Sequence, residues 1–120
     1  WQANYDIILA QLVAYQARIF EYGVALDAFI ANPKTAPMKK GERILRNWDI
    51  RTMSKVRTEE AKPYVKRANE MFASIKKEHP GSPWAARANW ELKRGFGVDL
   101  RPDYDLRLKK VENPTKPPKL

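Results

Sequence analysis

The side chains that could carry chemistry are few, and their spacing does not assemble a reaction. The 120-residue chain holds one histidine, His79, and no cysteine. Without thiols there is no disulfide, no thiolate metal site and no cysteine nucleophile. A lone histidine before Pro80 does not build the usual zinc site; at a helix end it suits a cap on the last carbonyls. One histidine and the serines Ser54, Ser74 and Ser82 give no Ser/His/Asp set. Asp99, Asp103 and Asp105 form a small acidic group, but they lack the glycine and spaced oxygen ligands of a calcium loop, and Arg101 and Arg107 stand among them. Glu59 and Glu60 fall in a helix first turn, where acids favour the macrodipole. Gly95-Phe96-Gly97 lacks the rest of a phosphate loop, and the proline in Asn113-Pro114-Thr115 excludes glycosylation. No catalytic, cofactor-binding or metal-binding residue is assigned, no cofactor is expected, and the chain reads as a non-enzyme.

Charge points elsewhere. The net charge is +9 and the isoelectric point is near 9.9, a balance that favours anionic partners. Most of it is local. Lys34, Lys39, Lys40, Arg43, Arg46, Arg51, Lys55 and Arg57 stand against only Glu42 and Asp49 in residues 33–57. Lys39, Lys40, Arg43, Arg46 and Arg51 surround Trp48, and basic residues interleaved with an aromatic can grip a phosphate backbone and stack bases. No helix-turn-helix, RNP or glycine-clamp motif accompanies them. The tryptophans Trp1, Trp48, Trp84 and Trp90 bring large apolar area. Trp90 lies farther than Trp84 from the Ala85, Ala88 and Leu92 face of their helix, so of these two it is the one expected at the surface and in contact with a partner. The partner-binding candidates are Trp90, Trp48, Lys39, Lys40, Arg43 and Arg46. They support two readings: a protein-interaction or scaffold module, and a binder of nucleic acid or another polyanion through residues 34–57.

The elements that would position these residues read as helices. Trp1, Tyr5, Ile8, Leu12, Tyr15, Ile19, Tyr22, Leu26 and Phe29 recur at spacings of four and three, a heptad seam along one helix over 1–31. Leu9, Val13, Ala17, Phe20 and Val24 widen the stripe, which predicts burial against two neighbours. Gly23 marks either a close helix–helix approach or a local bend, and Pro33 ends the helix. The same seam leaves room for a homodimer. Residues 32–57 read as an irregular basic loop, with a helical turn around Glu42–Trp48 as one option. A second helix covers 58–78, with Ala61, Tyr64, Ala68, Met71, Phe72 and Ile75 on its apolar face. Pro80 and Gly81 make a turn, Ser82 caps, Pro83 starts a third helix to residue 94, and Gly95 closes it. Residues 98–120 have no helical period and read as an extended arm with a proline-rich tail. The expected fold is all-α, with one helical domain over 1–97. No stretch approaches the roughly 20 apolar residues of a membrane span. A start at Trp1 rather than methionine reads as a piece of a longer protein.

Two resemblances add to this. Ala68, Phe72 and Pro80 are spaced as in the second helix of a tetratricopeptide repeat, and "SPWAARANWEL" resembles the first helix of the next. Over nearly the whole chain, "WQANYD" and "EHPGSPW" with their surroundings resemble the C-terminal helical region of planctomycete-type proteins that carry a von Willebrand factor type A-like domain upstream. That resemblance implies an all-α domain at the end of a secreted or envelope-associated protein, and it brings no catalytic or metal-binding residues.

Overall fold

The structure, a computed structural model, describes residues 1–106. Its elements in chain order are α1 (Gln2–Ala31), β1 (Lys39–Lys40), β2 (Arg43–Met53), α2 (Lys62–Glu78), α3 (Pro83–Arg94) and β3 (Gly97–Leu106). The fold is therefore mixed, and the all-α expectation is corrected: three helices pack with a three-stranded antiparallel sheet in the order β1-β2-β3. The end of the proline-rich stretch, 107–120, lies outside the described residues.

The sheet arises where a loop and an arm were expected. Gly41 and Glu42 join β1 to β2 as a two-residue hairpin, with Lys40 opposite Arg43. Gly41 has φ +62, and a glycine first in such a loop takes the backbone that matches strand twist. Between β2 and β3 the register runs from Arg43↔Leu106 to Met53↔Gly97, with a shift between Leu45 and Asn47. Arg46 is the extra residue of that bulge. After it, Trp48, Ile50 and Thr52 pair with Pro102, Leu100 and Val98 on one face. On the other face Asp49 opposes Arg101 and Arg51 opposes Asp99, and opposite charges across strands stabilise the pairing. The supposed arm is thus a strand with strict alternation: Val98 and Leu100 are buried while Asp99 and Arg101 face the other way.

α1 carries two apolar seams, and the structure buries the smaller one. Ala3, Ile7, Ala10, Ala14, Ala17 and Ala25 are buried, in line with Arg18 and Glu21. This seam is offset by two residues from the one that starts at Trp1, about 200° around the helix, so the two occupy opposite faces. Alanines allow backbones to approach closely, and that decides which face goes in. Ala10, Val13, Ala14 and Ala17 meet Ala61, Ala68, Phe72 and Ile75 around α2 and Ala88 on α3, with Phe96 closing the core. Phe72 and Phe96 stack at 6.5 Å between ring centres. Burial of the large seam between two neighbours is corrected accordingly. So is a close approach at Gly23: nothing lies within 4 Å of where its Cβ would stand.

α3 starts as its sequence dictates. Ser82 Oγ accepts the Ala85 N–H at 3.1 Å, and Pro83 takes the first helical position. Gly95 ends the helix at φ +82. A Cβ there would stand 2.5 Å from the Met53 carbonyl oxygen and 2.9 Å from Ser54 Cα. Both the left-handed φ and the backbone contact forbid a side chain. Gly95→Ala is expected to destabilise the chain by about 2–3 kcal/mol, read as a lower midpoint in urea unfolding; an unchanged midpoint would contradict this packing of α3 on the β2 exit.

Candidate interaction surface

The large seam of α1 lies open. Trp1 is fully exposed, Ile8, Leu12 and Ile19 are 56%, 53% and 67% exposed, and Tyr5, Tyr15 and Tyr22 are exposed with them. The last two members, Leu26 and Phe29, are half-buried, and Phe29 meets Trp48 edge-on at 5.2 Å. From Ile7 to Leu26 the helix has only two charged residues, Arg18 and Glu21, and both are turned into the fold. The exposed face of this stretch therefore has no charge of its own. Contiguous apolar patches of this kind mark interaction surfaces.

At its C-terminal half the seam meets the edge of the sheet. Tyr15, Ile19 and Tyr22 of α1 and Ile50 of β2 wall an open groove of about 750 Å³, with Arg51 and Arg94 on its rim. Ile50 is 56% exposed there, so the apolar surface continues from helix to sheet.

The floor beside this groove is held by a buried polar network. Arg18 Nη2 donates to Glu91 Oε2 at 2.9 Å, and both Nε and Nη2 of Arg18 reach the Gly95 carbonyl. Gln11 donates to Glu91 at 3.2 Å, and Arg87 adds a third contact at 3.3 Å. Burial opposes ionisation of Glu91, but the hydrogen bonds from Gln11 and Arg18 and the charges of Arg18 and Arg87 outweigh it. Its pKa lies below the ordinary glutamate value. Arg18 Nη1 is buried with no hydrogen-bond partner among the described residues. The guanidinium lies 5.4 Å from the Phe96 ring centre and 5.8 Å from that of Tyr15, so aromatic faces stand in for the missing acceptor.

The residues singled out from the sequence are scattered rather than gathered. Trp90 is exposed on α3, but Arg87 and Arg94 lie over its ring at 4.4 and 5.2 Å. It touches the groove only through Arg94. Trp48 is half-buried against Phe29. Lys39, Lys40 and Arg43 cluster at the β1–β2 hairpin without a carboxylate in ion-pair range among the described residues. Arg46 is taken by Asp103 at 3.4 Å and Asp105 at 3.1 Å. Asp99 collects Lys34 at 2.7 Å and Arg57 at 3.6 Å. The Lys34 hydrogen bond comes first in drawing its pKa below the ordinary aspartate value; burial opposes it, and the Lys34 and Arg57 charges reinforce it. Much of the positive charge of residues 33–57 is thus answered by the acidic residues of β3. His79 stands with Asp6 and Glu78, one ligand atom of each within 4.8 Å of the others; the group is partly open to solvent. None of these arrangements places a nucleophile beside a base. The seam of α1 was expected to be buried against two neighbours, with a homodimer left open; the structure exposes it, and Ile50, which continues it onto the sheet, carries no such signal in the sequence.

No protein-family model, curated protein or solved structure matches the chain. No helix among the described residues is long and apolar enough to cross a membrane.

Proposed function

We propose that this chain is a non-enzymatic protein-interaction module of a larger protein, and that it docks its partner on the exposed seam of α1 and the adjoining groove. The observation that carries the reading is the run from Trp1 to Tyr22, large and apolar, uncharged over most of its length and facing solvent on a helix whose other face is already packed. Polyanion binding through residues 34–57 has weaker support, because Arg46, Arg57 and Lys34 already hold carboxylates and Trp48 packs on Phe29 instead of offering a free stacking face.

A photo-crosslinking amino acid placed at Leu12, and separately at Lys40, in the cells that make the protein tests this. Protein adducts at Leu12 and none at Lys40 are expected. Nucleic-acid adducts at Lys40 with nothing at Leu12 would overturn the proposal.

A further inference from the structure

We propose that the occupant of the α1 seam is a second copy of this chain, paired antiparallel. The inference rests on the reading of α1 as a docking surface and adds its partner and geometry. Three observations carry it: the periodicity of the seam, the placement of charge, and the position of the groove.

Seam residues alternate between spacings of four and three from Trp1 to Tyr22, which is the periodicity that two helices need to interlock along their length. Run antiparallel, this seam is complementary to itself; a register that pairs Tyr5 with Tyr22, Ile8 with Ile19 and Leu12 with Tyr15 leaves Trp1 uncovered, so the register that also seats Trp1 is the one inferred. Ile8 then lies opposite Leu12 of the second copy, Tyr5 opposite Tyr15, and Trp1 opposite Ile19, and the two-fold axis repeats each layer. An isologous pair requires this kind of self-complementarity. With on the order of 100 Å² exposed per seam residue, the face offers roughly 700–800 Å² per copy, about what a stable interface buries on each side.

Charge selects the direction. Each chain carries +9, and the basic hairpin and sheet accompany the C-terminal half of α1, where Ile50 and Arg51 border Tyr15, Ile19 and Tyr22. A parallel pair would place the two sheets side by side at one end. An antiparallel pair in this register overlaps over residues 1–19, about 27 Å, and sends the sheets to opposite ends of that overlap, about three screening lengths apart at physiological salt. The seam itself adds little repulsion, since Glu21 is buried on the other face and Arg18, beneath the groove, is buried and paired with Glu91.

The groove supplies the end of the interface. In the same register Trp1 of the second copy arrives over Ile19, between Tyr22 and Ile50. A fully exposed indole and an apolar groove with exposed Ile50 then cover each other, once at each end of the pair.

Sedimentation equilibrium of the 120-residue chain, with disulfide trapping, tests the proposal. The chain has no cysteine of its own, so introduced thiols report geometry without background. A reversible dimer is expected below roughly 100 µM. Leu12→Asp is expected to weaken it at least a hundredfold with helicity by circular dichroism unchanged, because Leu12 is exposed in the single chain. A mixture of Tyr5→Cys and Tyr15→Cys chains is expected to form the mixed disulfide in preference to either like pair. A Tyr5→Cys like pair as the main product would overturn the antiparallel geometry. A monomer at that concentration would overturn self-association altogether. In that case protein adducts from the Leu12 crosslinker to a different chain would leave the interaction-module reading standing, and their absence would remove both.

Discussion

Replacement of Glu91 by leucine is expected to destabilise the chain by about 3–5 kcal/mol, among the largest effects of any single substitution. The side chain of Glu91 is fully buried and holds Gln11, Arg18 and Arg87 at once. Without it, Arg18 remains a charge 7% exposed, with only the Gly95 carbonyl and two aromatic faces to answer it. The cost lies in that stranded charge more than in the worth of the ion pair. The double variant Arg18→Met with Glu91→Leu is therefore expected to recover most of the loss, since apolar groups of similar volume can replace a buried pair at little cost. Urea unfolding of the wild type, both single variants and the double variant gives the coupling directly. A double variant as unstable as Glu91→Leu would show that the network contributes shape or specificity beyond the stranded charge.

The same network sets an acid limit. Glu91 has a folded pKa below its ordinary value of 4.5, so the unfolded chain binds its proton first as pH falls. Its contribution is fully present above that ordinary value and is lost as pH drops through the lowered folded pKa. Asp99 acts in the same direction, with less weight because Lys34 is nearly half exposed. Stability is expected to fall steeply below about pH 4.5 in the wild type and less steeply in the double variant, measured as urea midpoints across that range. Equal acid slopes in the two proteins would place the acid-sensitive group elsewhere.

What could be read in advance follows from physical signals of unequal strength. The helices are legible: α3 has Ser82 and Pro83 at its start and Gly95 at its end, and α2 stops before Pro80. The sheet is hard to see because its signal is broken. Arg46 is an extra residue in β2, and it slips the alternation by one, so Ile44, Leu45, Trp48 and Ile50 show no clean period. Dense Lys and Arg in the same stretch look like a solvated loop until their partners on β3 are known. The readable clues were Gly41 in "KKGER", a hairpin glycine, and the alternation of apolar and charged residues from Val98 to Asp105. Only the pairing of two segments some fifty residues apart turns those clues into a sheet.

Which face of α1 is buried was hard to read for a different reason. Heptad position ranks residues by hydrophobicity, and Trp1, Tyr5, Ile8 and Leu12 outrank a row of alanines. Burial follows fit as well as hydrophobicity. Ala10, Ala14 and Ala17 let α1 come close to α2 and α3, and only that face carries Arg18 and Glu21, which find Glu91 and the Arg57–Thr58 backbone. Charges that can be satisfied by neighbours mark the inner face, while the outer face is left apolar and exposed among the described residues. A long helix with two apolar seams therefore packs one into its own fold and leaves the other facing solvent.

Glu21 shows how the two faces depend on each other, and its replacement by alanine is expected to cost about 3 kcal/mol. Its carboxylate is 2% exposed. It accepts the Arg57 N–H at 3.0 Å, the Thr58 N–H at 2.7 Å and the Thr58 hydroxyl at 2.8 Å. Thr58 Oγ1 in turn accepts the Ala61 N–H at 3.2 Å, just ahead of α2. One side chain of α1 thus fixes the backbone where β2 gives way to α2. Removal leaves the buried Thr58 N–H and the part-buried Arg57 N–H without their acceptor, a cost above that of an average hydrogen bond. Glu21→Gln keeps one acceptor oxygen and puts an amide donor against the other N–H, so its loss should be smaller. The effect should also be local. Amide exchange at Arg57 and Thr58 is expected to accelerate more than exchange in the α2–α3 core. Because β2 carries Ile50 to the groove wall, the Glu21→Ala chain should in addition lose affinity for whatever covers the seam, although Glu21 lies on the opposite face of α1. Unchanged exchange at these two amides would mean that the β2–α2 junction is held by something other than this carboxylate.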